Sequence, residues 1–206
     1  MKYIWVNPVA AGMYEPKQLD EFLNQHGYQR FETSIDWLNI VREKYREVAE
    51  RADKTVIDMR CPKAAELVRK IERDMDLIFP DISPILIHCG QEAGIAKEIL
   101  NSEKLITTPC KSLADMGNAL RISKTKFVPW NEFLKSFEDG PKGTMLRKSP
   151  IPPGFFEPLE LKCVSLTGEQ EIQDYFRNYH KDEVQIVEML YCKDGCHNGD
   201  GIIGSE

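Results

Sequence analysis

Short apolar runs alternate with stretches of helical period along almost all of this 206-residue chain. KYIWV (2–6), RFET (30–33), KTVIDM (54–59), PILIH (84–88), KLITT (104–108), KFVPW (126–130), LKCVSL (161–166) and VQIVEML (184–190) read as strands. Helical patterns lie between them near 16–26, 34–51, 62–77, 91–101, 111–121, 130–138 and 168–179. Strands joined through helices run parallel, because a parallel pair needs a long crossover. The alternation therefore predicts an α/β fold, with mainly parallel sheet flanked by helices on both faces. Helix starts are expected at Ser34 ahead of IDWLNIV, at Pro62 just after Cys61, and at Thr167 ahead of GEQEIQDYF. The rhythm breaks at EDGPKGTMLRKSPIPPGFFEP (138–158), where prolines and glycines predict a long loop or lobe connection. The length suits one compact domain over 1–206 or two small lobes sharing a core.

Hydrophobic residues make up 42% of the chain and charges are interspersed, which is the balance of a soluble globular protein. No apolar run reaches the roughly 18 residues that span a bilayer, so no membrane association is expected. MKYIWVNPVAAGMYEP reads as a first strand and not as a signal peptide, which places the chain in the cytoplasm. A net charge of -6 lacks the basic stripe of a nucleic-acid footprint. RKIERDMD and VREKYREVAER alternate in sign at helical spacing and read as solvated helix faces. Trp5, Trp37 and Trp130 fall in strand or helix patterns and are expected in the core.

Six cysteines in a cytosolic chain do not read as a disulfide framework, because cytosolic thiols are kept reduced. Their placement says more. Cys61 follows VIDMR, Cys89 follows PILIH, Cys110 follows LITTP, and Cys192 follows VQIVEML and shares a glycine-rich loop with Cys196. All five thus stand where a strand hands over to a helix or loop, which is where parallel α/β folds bind ligands. Cys163, inside LKCVSL, reads as a buried bystander. Backbone N–H groups at helix starts favour thiolate, the form that binds metal. Converging thiolates suit tetrahedral zinc or a cubane iron–sulfur cluster. Only Cys192 and Cys196 are close in sequence, a pattern that suits a cluster held between lobes better than a zinc knuckle. His88 and His197, each beside a cysteine, read first as backbone-bonded histidines; His197, in the ligand loop, is the better candidate to tune a cluster. Asp200 reads as a solvent-exposed residue of the tail, and Cys89 as a spare thiol.

Three segments, in order, resemble the catalytic domain of the iron-only (di-iron) hydrogenases. DMRCPKAAELVRKIERDMDLIFPDISP resembles the family's first cluster segment, ITTPCKSLADMG its middle Pro-Cys segment, and VQIVEMLYCKDGCHNGDG its last. The resemblance spans roughly residues 54–201 and is specific at the cysteines. It implies two α/β lobes around one 4Fe–4S cluster, held in the cleft between them by Cys61, Cys110, Cys192 and Cys196. It also implies a redox partner, either a ferredoxin-like protein or a larger complex. The family has a proton-relaying cysteine where this chain has Arg60, a cyanide-holding lysine where it has Leu113, and a glutamate of the proton path where it has Met116. Methionines of the family are replaced by Thr108 and Leu190. The ligand set is kept and the surroundings of a di-iron site are not. The expectation is thus a 4Fe–4S protein of electron transfer or redox sensing, without hydrogen turnover. A divergent active hydrogenase, and a scaffold or zinc-binding partner of a redox complex, are the other readings.

Overall fold

The computed structural model describes residues 2–71, 75–179 and 184–196. Among the described residues, eight strands form two four-stranded sheets in which every pairing is parallel. The chain accordingly divides into two compact units. Among the described residues, one comprises 2–35 and 86–151; the other is drawn from Asp36–Ile85 and Pro152–Cys196.

In the first unit the sheet order is β2-β1-β5-β6, from β1 (Lys2–Trp5), β2 (Tyr28–Arg30), β5 (Lys104–Thr108) and β6 (Thr125–Pro129). One face is covered by α1 (Pro8–Ala11), α2 (Pro16–Gln25) and α7 (Trp130–Leu134), where Ile4, Leu19, Leu23 and Trp130 are buried together. On the other face Phe127 lies against α5 (Ile85–Ile95) and α6 (Lys111–Ala119). The second unit has the order β4-β3-β8-β7, from β3 (Thr55–Ile57), β4 (Leu77–Ile78), β7 (Cys163–Thr167) and β8 (Ile186–Leu190). Its strand residues alternate between two cores. Val56 and Ile186 pack with Val41 and Tyr45 of α3 (Trp37–Arg51), whereas Ile57, Val187 and Met189 pack with α4 (Pro62–Ile71) and α8 (Glu169–Arg177).

Several boundaries differ from the sequence expectation. PILIH is not a strand: it opens α5, whose residues Leu86–Gly90 are all buried. A helix buried all round shows no apolar stripe, so its sequence imitates a buried strand. Asp36, not Ser34, caps α3, its carboxylate accepting from Asn39 N–H at 3.1 Å, while the Ser34 hydroxyl donates to Glu92. Gly168, not Thr167, stands at the N-cap of α8. The strand expected over 30–33 is centred instead on β2, and the helix expected over 62–77 is assigned as α4 only to Ile71, with β4 starting at Leu77. No described helix is long and apolar enough to cross a membrane.

Candidate functional site

Each sheet has one place where successive strands leave in opposite directions, and open α/β sheets bind ligands beyond the strand ends there. In the first unit this point lies between β1 and β5. Buried Asn7, just past β1, accepts from Ala10 N–H through its side-chain oxygen and is tied to Thr107 of β5 at 2.8 and 3.1 Å. Cys110 follows β5 and stands at the N-cap of α6 with no side chain capping the helix. Its carbonyl accepts from the Thr108 hydroxyl at 2.8 Å and from Ala114 N–H at 3.2 Å. Leu113 is buried and Met116 half-buried along the same helix.

In the second unit the corresponding point lies between the adjacent strands β3 and β8, which pair with Ile57 opposite Val187. Cys61 follows β3 and Cys192 follows β8, so both stand at the same end of one sheet. Cys61 and Tyr191 both pack against the core beneath α4 and α8. Beside Cys192, the Tyr191 ring lies 3.7 Å beneath the Lys63 ammonium, and its hydroxyl donates to Glu169. The chain turns between the last two cysteines through Asp194 (φ 61°) and Gly195 (φ 132°).

Next to Cys61 in the chain, Arg60 joins Asp58 and Glu188 in a buried ionic network. The Arg60 guanidinium donates to both oxygens of Asp58 (2.7–3.2 Å) and to Glu188 at 2.8 Å. It stacks 3.7 Å from the Phe155 ring centre and 4.9 Å from that of Phe156. Glu188 in turn accepts from the N–H groups of Gly154 (2.7 Å) and Phe155 (3.0 Å) and from the Ser165 hydroxyl (2.5 Å). Gly154 is required where it stands: its φ is +100°, and a Cβ would sit 2.8 Å from Glu157 Oε1. Burial opposes the Arg60 charge, but the carboxylates of Asp58 and Glu188 more than offset it and raise its pKa. Burial likewise pushes Glu188 up, and Arg60, Ser165 and the two amides overcome it, holding the carboxyl below its usual value. Tyr45 is raised by burial first and by the Asp58 charge second.

The six cysteines are thiols, Cys89 buried and the other five half-buried. Cys61, Cys192 and Cys196 thus belong to the second unit and Cys110 to the first. Cys89 is not at a strand end but within α5, where burial pushes its thiol up to about 11, the Thr33 hydroxyl at 3.9 Å acting in the opposite sense. His88 is buried beside it on α5. Cys163 opens β7 and is half-buried, not mid-strand and enclosed; burial and the Glu188 charge raise it to about 11. His197 and Asp200 lie outside the described residues.

In kind, the donors suit a thiolate-bound metal: Cys61, Cys110, Cys192 and Cys196 are half-buried and follow strands, and the first two stand at helix starts. In position, no three His, Cys, Asp or Glu side chains among the described residues stand close enough to hold a metal ion. A cavity of about 630 Å³ runs along the outer edge of β2, lined by Asp20, Asn24, Tyr28, Arg30 and Glu32, and holds none of the cysteines.

The ionic network was not anticipated from sequence, although a signal for it exists. Asp58 and Glu188 each interrupt an apolar strand run, and a charge in such a run requires a buried partner.

No known family model matches the chain, and no curated protein aligns with it.

Proposed function

We propose that the chain holds a 4Fe–4S cluster through Cys61, Cys110, Cys192 and Cys196, and serves electron transfer or redox sensing. A ferredoxin-like protein or a larger redox complex is the partner. The observation that carries this reading is the placement of the cysteines. Cys110 stands beyond the strand-order reversal of one sheet, and Cys61 and Cys192 beyond that of the other. Such a cluster, when bound, passes single electrons between partners. The chain's own part is to present thiolates and N–H donors. Cys110 stands at the start of α6, where no side chain caps the helix, and Gly195 lies in the turn between the last pair.

Hydrogen turnover is not part of the proposal. Splitting hydrogen requires a group that takes up and returns a proton, and Arg60 is locked between two carboxylates with its pKa raised. Leu113, buried in α6, has no donor to hold an iron-bound cyanide. The test is anaerobic expression with the machinery that builds a di-iron site. Infrared bands of iron-bound carbonyl and cyanide, with hydrogen evolution above that of Cys196→Ser, would instead establish a divergent hydrogenase. Zinc in place of iron would support the scaffold reading.

A further inference from the structure

We infer that Arg60 is a positioning residue: its clamp on Asp58 and Glu188 fixes the two strand ends that carry Cys61 and Cys192. This rests on the proposed thiolate site but concerns the protein before any metal is bound.

The segment from Asp58 to Cys61 is held at every step. Met59 N–H donates to the Tyr45 hydroxyl at 2.7 Å, and Arg60 N–H to Asp58 Oδ1 at 2.9 Å. The Cys61 carbonyl accepts from Ala65 N–H at 3.0 Å, which starts α4. The guanidinium then joins this turn to β8 through Glu188, and Met189 N–H reaches Asp58 at 3.4 Å. Glu188 and Met189 immediately precede the Leu190–Cys192 exit. The same guanidinium presses on Phe155, and the Arg42 guanidinium also lies 4.7 Å from that ring centre. One planar cation with a fixed fork of donors therefore couples the turn, the exit of β8 and the loop at 154–156. A lysine, with a single charged point, cannot span both carboxylates and the ring in this way.

The experiment uses the metal-free full chain and follows iodoacetamide alkylation of each cysteine by mass spectrometry, well below the unfolding temperature. With Arg60→Gln, Cys61 and Cys192 are expected to react about tenfold faster than in the parent, because their turns open locally, while Cys110 and Cys89 keep their rates. Arg60→Lys should behave like Arg60→Gln. Should Arg60→Gln not fold, Ser165→Ala removes only one of the donors to Glu188 and carries the same readout. Unchanged rates at Cys61 and Cys192 alongside a lowered unfolding temperature would reduce the clamp to a stabilising contact and overturn the inference. So would full rescue by lysine. The readout contains no metal, so the absence of iron from the parent would defeat the cluster reading and leave this result standing.

Discussion

Removing the Arg60 guanidinium leaves Asp58 and Glu188 fully buried without their counter-ion. Breaking a buried pair from one side costs roughly 3–5 kcal/mol, so Arg60→Leu should lower the urea midpoint by that equivalent, with little change in slope. Loss of under about 1 kcal/mol would mean that water reaches the carboxylates. The pH dependence follows from the same residue. Because the folded Glu188 carboxyl binds its proton more weakly than the unfolded one, its contribution is complete above the unfolded pKa of about 4.3 and is lost as pH falls through the lower folded value. Stability should therefore hold near neutrality and fall below about pH 4, and Glu188→Gln should flatten that acid limb. At the alkaline end the sign reverses. Cys89, pushed to about 11, keeps its proton when folded and loses it when unfolded, so stability declines between its ordinary 9.0 and that value. Thermal unfolding across pH, with Cys89→Ala as reference, checks both limbs; Cys163 adds to the alkaline one.

At the scale of elements, the packing of the first unit turns on Phe127. Its ring lies against Gly90 of α5 and Gly117 of α6, where added Cβ atoms would approach to 2.3 and 2.4 Å. Gly117→Ala should cost about 1–3 kcal/mol, and Phe127→Leu in the same chain should recover part of it, as a double-mutant cycle in urea would reveal. How far elements can be read from sequence also shows here. Strands such as LITT and IVEML are short, apolar and bounded by turn residues, and they fold as read. PILIH has the same composition and becomes helix, because burial on all sides removes the period that separates the two states. Pro84, immediately ahead of Ile85, was the usable sign, since proline suits a helix start. The Asp58–Arg60–Glu188 network was legible only as isolated charges, because the partners lie 128 residues apart along the chain and sheet order is set by long-range pairing.

For the molecule as a whole, alternation along the chain foretells parallel α/β structure, whereas the separation into two sheets with different strand orders depends on pairings such as β1 with β5 and β3 with β8. Those pairings put Cys61 and Cys192 just past the ends of neighbouring strands, which spacing in the sequence does not reveal. Cys163, outside both strand-order reversals, should be replaceable by serine without loss of iron, and loss of metal with the fold intact would reassign the ligands. The most direct measurement of the central claim is iron and acid-labile sulfide content, with EPR of anaerobically purified and reduced protein. About four of each per chain and a reduced-cluster signal are predicted, abolished by serine at Cys61, Cys110, Cys192 or Cys196. Stoichiometric zinc, no metal at all, or iron that survives replacement of all four cysteines would contradict it.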